Sequence, residues 1–152
     1  MDVTLWGHED ISLTSPPYRR LSRDAIEDVN GEVIELRPCA RELLSFLRDR
    51  GFGLAVASWN LPEPAVKALE ALDLLEYFDV VVVEPHPNKE LMLREIMSVM
   101  RVSEGEVVFI DDNPYITERV SRAYPELLVL RFGVDVTDYC VFLEEVRRAL
   151  GG

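Results

Sequence analysis

The chain has 152 residues, 48% of them hydrophobic and 29% charged. That is the balance of one soluble globular domain, and it excludes a fibre, a disordered tail and a membrane protein. With 16 Lys and Arg against 28 Asp and Glu, the net charge of -12 disfavours nucleic acid and anionic membrane as partners, but a few local cations or a metal ion override a screened global field inside a cleft, so phosphate binding stays open.

Residues 7–37 read as polar and irregular. Ser15-Pro16-Pro17 marks extended chain, and Asn30-Gly31 between short apolar alternations predicts a tight hairpin. From Pro38 the pattern turns regular: Leu43, Leu44, Phe46 and Leu47 recur at helical spacing and stop at Gly51, predicting a helix over 39–50. An apolar run over 53–57 ending in Ser58-Trp59-Asn60 predicts a strand, and Pro62 and Pro64 open a helix through Leu72. The order repeats with a strand over 79–83, the loop 84–88 and a helix over 89–100. It repeats again with a strand over 107–110, the loop 111–114 and a helix to Tyr124. A strand over 127–130 and a helix near 139–149, with the core stripe Tyr139, Phe142, Leu143 and Val146, complete the chain. Continuous β-branched runs alternating with amphipathic helices predict an α/β fold, a three-layer sandwich around a Rossmann-like parallel sheet. Residues 1–152 read as a single domain with a small insertion at 7–37.

Cys39 and Cys140 are far apart in sequence and form no CxxC, so neither a disulfide framework nor a zinc finger is expected, and a reducing cytoplasm is the expected compartment. No run of about 18 apolar residues and no basic-then-apolar leader over 1–10 exists, so neither a membrane span nor a signal peptide is indicated.

Ligand sites of open parallel sheets lie at the carboxyl ends of the strands. Three of the expected strands end in polar groups: Ser58 and Asn60 after the first, Asn88 and Lys89 after the second, Asp111-Asp112 after the third. Adjacent carboxylates at a buried strand end raise each other's pKa unless a cation is near. Oxygen-only ligation favours Mg²⁺, which takes one or two carboxylates together with substrate phosphate. A hydroxyl and an ammonium at neighbouring strand ends suit the phosphoryl oxygens. Each group also has a plainer reading by itself: Ser58 as a turn or cap residue, Lys89 as a solvated lysine opening a helix, Asp111-Asp112 as an acidic helix cap. His8 and His86 lack neighbouring ligands and read as loop histidines. Trp6 either covers the site or packs under the insertion. Tyr18, Arg19, Arg20 and Arg23 either clamp an anionic leaving group or form a solvated basic loop.

The order Asp2-Val3-Thr4-Leu5-Trp6, then Ser58 after a strand, Lys89 further on and Asp111-Asp112 late resembles the haloacid dehalogenase-like (HAD) phosphohydrolases. More narrowly, these motifs, with Ala57-Ser58-Trp59-Asn60, Glu84-Pro85-His86-Pro87-Asn88-Lys89 and Phe109-Ile110-Asp111-Asp112-Asn113-Pro114, look like the small magnesium-dependent phosphatases of subclass IIIC. Receiver domains of two-component signalling also combine paired Asp, a hydroxyl and a Lys, but there the acidic pair comes first and the Lys last.

The resemblance implies a Mg²⁺-dependent phosphomonoesterase working through an aspartyl-phosphate, with 7–37 as a cap-like insertion. In the family's Asp-x-Asp-x-Thr motif the first Asp attacks phosphorus, and the second serves as general acid and then as base. Asp2, with Thr4 two residues on, aligns with the second Asp, which sets the nucleophile one residue before Met1. Three readings of that register stand. The sequence starts too late; the protein is an inactive HAD-like phosphate-binding or interaction module; or Asp2 is the nucleophile in a shifted register, as in the transport ATPases of the superfamily. A IIIC-type acyl transfer to a carrier protein is a further alternative. Carried across residue by residue, Ser58 donates to a phosphoryl oxygen beside Trp59 and Asn60, and Lys89 neutralises nucleophile and phosphate. Asp112 holds Mg²⁺ directly with Asp111 behind it or bound through water, the Asp2 carbonyl completes the protein ligands, and Thr4 orients the motif. The implied substrate is a small phosphorylated metabolite or a phosphorylated or glycated protein side chain.

Overall fold

The computed structural model describes residues 4–7 and 10–151. The segment carrying Asp2 and the ring of His8 therefore lie outside the described residues. Two parallel strand pairs organise the fold. β4 (Ala55–Trp59) pairs with β5 (Val80–Glu84) from Ala55↔Val80 to Trp59↔Glu84. β6 (Val108–Asp111) pairs with β7 (Leu128–Arg131) from Val108↔Leu128 to Asp111↔Arg131. Around them lie α1 (Ala40–Asp49), α2 (Pro62–Ala71), α3 (Lys89–Met100), α4 (Pro114–Ala123) and α5 (Tyr139–Ala149). Helix bounds lie close to those expected from hydrophobic spacing, because their ends carry strong local signals. Pro62 and Pro114 occupy the first turns of α2 and α4, where a missing N–H costs nothing. After α1, Gly51 takes φ +86° with its N–H on the Arg48 carbonyl at 3.0 Å, a left-handed position that favours glycine.

Helices pack against both faces of the strands, and the alternation of side chains assigns the layers. Val56, Val81, Val83, Ile110 and Leu130 pack in one cluster with Leu43 of α1, Leu69 of α2 and Leu143 of α5. Phe109 and Val129 face Leu93 of α3 and Val120 of α4, while Val80 and Val82 face Met92 and Ile96 of α3. Side chains from both strand pairs thus fill the same two interfaces, which makes the fold the three-layer α/β sandwich expected of such a sequence. The expected single sheet is, among the described residues, two parallel pairs with no ladder between β4 and β6. β4 also starts later than the apolar run suggests. The Leu54 N–H donates to the Asp79 carboxylate at 3.0 Å, so the ladder opens at Ala55 and carries Ser58 inside the strand.

The 7–37 region contains an antiparallel sheet in the order β1 (Arg19–Ser22), β2 (Ala25–Glu27), β3 (Val33–Glu35). The hairpin joining β2 to β3 is wider than the Asn30-Gly31 signal suggests. The Asp28 carboxylate accepts from the N–H groups of Asn30 and Glu32 at 2.9 and 2.8 Å, and Gly31 takes φ +82°. Ile26, Ile34 and Leu36 join the cluster beneath β4 and β5, and so does Trp6, which is fully buried and bridges to Leu36. Trp6 is therefore the tryptophan packed under the insertion, not a cover over the site. Burying each of the isoleucines beside it contributes roughly 1.5–3 kcal/mol.

The cysteines overturn the sequence expectation. Cys39, which caps α1, and Cys140, in the first turn of α5, are joined by a disulfide with their Cα atoms 5.0 Å apart. A separation of 101 residues says nothing about proximity once α1 and α5 lie side by side on one face of the sandwich. The cysteine argument for a reducing compartment falls with it. No described helix is long and apolar enough to cross a membrane.

Candidate active site

Two pairs of the polar residues singled out in the sequence meet at the carboxyl end of β6: Lys89 with Asp111, and Thr4 with Asp112. Lys89 is the first residue of α3, where the helix dipole disfavours a cation. It is nonetheless only 4% exposed, because its Nζ donates to Oδ2 of Asp111, the last residue of β6. The Phe109 ring lies 5.9 Å from the ammonium. The plain reading of Lys89 as a solvated lysine is thereby excluded.

Asp111 is itself 3% exposed, and its other oxygen, Oδ1, accepts from the Asn113 N–H at 2.9 Å. The cap of α4 is Asn113, whose side chain accepts from Tyr115 and Ile116, so Asp111 and Asp112 are not there as helix caps. Asp112 takes the Thr4 hydroxyl on Oδ1 at 2.8 Å. Thr4 in turn is held from behind, its carbonyl accepting from the Tyr139 hydroxyl at 3.0 Å. Burial pushes the Tyr139 phenol well above the ordinary tyrosine value; Arg37 opposes this, while the Asp112 and Asp111 carboxylates add to it. Tyr139 is thus a permanent donor within electrostatic reach of both aspartates. Helical spacing in the sequence places it only in the apolar stripe of α5, because a phenol at a helix start gives no sign of its partner.

Ser58 sits in β4 at 1% exposure, and its Oγ has no hydrogen-bond partner among the described residues. A turn or cap serine would be bonded to nearby backbone. Asn60 is buried beside it; its N–H extends the ladder to the Glu84 carbonyl at 2.9 Å and its Oδ1 accepts from Leu61 at 3.1 Å. Trp59 is 51% exposed. His86 is a loop histidine, its Nδ1 accepting from Asn88 at 3.2 Å. The basic residues of the insertion serve the surface: Arg19 pairs with Glu27, Arg20 with Asp73 and Arg23 with Glu42, and the Tyr18 hydroxyl meets Thr14. They form no clamp.

The donors at Asp111-Asp112 are all oxygen, which suits Mg²⁺. Both Asp111 oxygens are engaged, whereas Oδ2 of Asp112 has no hydrogen bond among the described residues. No group of three or more His, Cys, Asp or Glu able to hold a metal occurs among the described residues.

A family model described as haloacid dehalogenase-like hydrolase matches residues 11–115. The chain belongs to the haloacid dehalogenase-like hydrolases. Among curated relatives, this HAD-like hydrolase is 24% identical over 157 residues to the pyrophosphatase PpaX of Halalkalibacterium halodurans, covering 88% of this chain and 72% of that protein. It is 34% identical over 101 residues to a phosphorylated carbohydrates phosphatase of Thermotoga maritima, covering 62% of this chain and 46% of that protein. The crystal structure of the N-terminal part of a Bacteroides fragilis protein, containing a phosphatase domain complexed with Mg, superposes with TM-score 0.60 at 28% identity, over 68% of this chain and 28% of that one. The HAD-like chain thus spans less than half of the carbohydrate phosphatase and little more than a quarter of the Bacteroides chain.

Proposed function

We propose that this HAD-like hydrolase is a Mg²⁺-dependent phosphomonoesterase of the IIIC kind, acting on a small phosphorylated metabolite through an aspartyl-phosphate. The observation that carries the reading is the buried Ser58 hydroxyl without a partner, at a strand end of the sandwich that also holds the Lys89–Asp111 pair. An unsatisfied buried hydroxyl is costly, and a phosphoryl oxygen is the acceptor that satisfies it. The relatives point the same way, one named for pyrophosphate and one for phosphorylated carbohydrates.

In this reading Lys89, aimed by Asp111, balances the negative charge of the transferring phosphoryl group, and Ser58 orients it, with Asn60 and Trp59 at the same strand end. Positioning and charge stabilisation dominate phosphoryl transfer. Asp112, steadied by Thr4, would hold Mg²⁺, with Asp111 behind it and, as the resemblance implies, the Asp2 carbonyl as a further ligand; an ion held there would supply Lewis-acid stabilisation of phosphoryl oxygens. Asp2 protonates the leaving group and then takes a proton from water. In the family's register the attacking carboxylate falls two positions before Asp2, at the end of an apolar strand.

The test compares p-nitrophenyl phosphate, pyrophosphate and sugar phosphates as substrates, with Mg²⁺ and with excess chelator, for this chain and for a form extended by an apolar strand ending in Asp at that position. Chelator-sensitive turnover in either form supports the reading. Calorimetric Mg²⁺ and phosphate binding without turnover in both forms identifies a phosphate-binding module instead.

A further inference from the structure

The Thr4 carbonyl receives its hydrogen bond from Tyr139, and Tyr139 is the residue immediately before Cys140. Three constraints fix this phenol. Its backbone begins α5 behind the Asp138 cap, whose carboxylate accepts from the Cys140 and Val141 N–H groups at 2.7 and 3.3 Å. Its ring packs on Phe132 at 4.9 Å between centroids, with the Arg37 guanidinium 4.6 Å from the Phe132 centroid. Finally, the Cys39–Cys140 bond ties the start of α5 to the start of α1. On the other side of Thr4, its hydroxyl meets Asp112. A continuous path therefore runs from the disulfide through Tyr139 and Thr4 to Asp112.

We propose that Tyr139 is a positioning residue of the site, holding the Thr4 backbone so that the Thr4 hydroxyl steadies Asp112, and that the Cys39–Cys140 bond is the tether that keeps Tyr139 in place. Tyr139 touches neither phosphate nor metal in this role. It acts by fixing where Thr4 stands, and partners behind metal ligands commonly matter 10–100-fold for metal affinity or activity. The metal part of the inference rests on the Mg²⁺ reading above; the positioning part does not.

The discriminating variant is Tyr139→Phe, which keeps the ring against Phe132 and removes the hydroxyl alone. Tyr139→Ala removes both. Calorimetry with Mg²⁺ and, where turnover is found, kcat and KM for p-nitrophenyl phosphate are measured on the full chain, beside the ¹³C-methyl resonance of Thr4, which reports the position of Thr4 without any metal. The expected result for Tyr139→Phe is a thermal midpoint close to wild type, a shifted Thr4 methyl signal, Mg²⁺ affinity lowered roughly tenfold, and kcat lowered with KM nearly unchanged. Reduction of wild type with dithiothreitol, which forms its cyclic disulfide as Cys39 and Cys140 return to thiols, and the Cys140→Ser substitution should each shift the same methyl signal. A Thr4 signal unmoved in Tyr139→Phe, or full restoration of Mg²⁺ affinity by Phe relative to Ala, overturns the positioning role. A signal unmoved by reduction overturns the tether. If wild type binds no Mg²⁺ while the Thr4 signal moves as expected, the positioning stands and the Mg²⁺ reading falls.

Discussion

Lys89 and Asp111 form an ion pair between the first residue of α3 and the last residue of β6, with both side chains about 5% exposed or less. In water such a pair contributes little, but here each charge depends on the other. Lys89→Met leaves the Asp111 carboxylate buried with only the Asn113 N–H to compensate it. Removing one partner of a buried pair costs roughly 3–5 kcal/mol, so the urea midpoint should fall by that equivalent and turnover should be lost. Lys89→Met with an unchanged midpoint would mean the pair carries surface-like energy and does not hold α3 to β6.

Ser58 behaves in the opposite way. Its hydroxyl is buried without a partner among the described residues, so Ser58→Ala removes an unsatisfied group and should leave the thermal midpoint unchanged or slightly raised. A hydrogen bond to a charged phosphoryl oxygen contributes about 1.5–3 kcal/mol, so phosphate inhibition and kcat/KM should weaken roughly 10–100-fold. The pairing of intact stability with lost phosphate affinity is the result to look for in calorimetry and steady-state assays. Lost stability would mark Ser58 as a packing residue.

How far the sequence leads can be judged from particular residues. α3 was expected over 89–100 and runs over Lys89–Met100, because its apolar spacing and the preceding Pro87 are local signals. The Asp111-Asp112 pair and Lys89 were recognisable as site candidates by their order along the chain, and Lys89 and Asp111 meet through space. The Cys39–Cys140 bond and the Tyr139–Thr4 hydrogen bond, by contrast, join residues 101 and 135 positions apart. Both depend on α5 lying beside α1 and the start of the chain, a tertiary fact that leaves no periodicity to read. The wide hairpin at 28–32 was missed for a different reason, since the Asp28 side chain accepts from the N–H groups of Asn30 and Glu32 and so overrides the Asn30-Gly31 turn signal.

Asp112 and Thr4 make a graded pair of tests for the metal. Asp112→Asn should remove the direct carboxylate, abolishing Mg²⁺-dependent turnover. Thr4→Val removes only the hydroxyl at 2.8 Å from Oδ1 and should weaken Mg²⁺ affinity roughly 10-fold while leaving the maximal rate at saturating Mg²⁺ less affected. Mg²⁺ titrations of activity and of heat uptake check both. Unchanged Mg²⁺ dependence in Asp112→Asn would remove Asp112 from the metal assignment.

Tyr139 should show itself in alkaline stability. Burial, with the nearby Asp112 and Asp111 carboxylates, raises its folded-state pKa, Arg37 opposing, so the fold keeps the proton that the unfolded chain releases near the ordinary tyrosine value of about 10. The stabilising contribution of the protonated phenol is therefore complete below that value and declines as pH rises above it, by up to about 1.4 kcal/mol per pH unit. Urea unfolding at about pH 8 and about pH 11 should give a drop in stability for wild type that is smaller in Tyr139→Phe, which has no proton to lose there. Equal drops in the two proteins would mean that the buried phenol ionises as readily in the folded state as in the unfolded one.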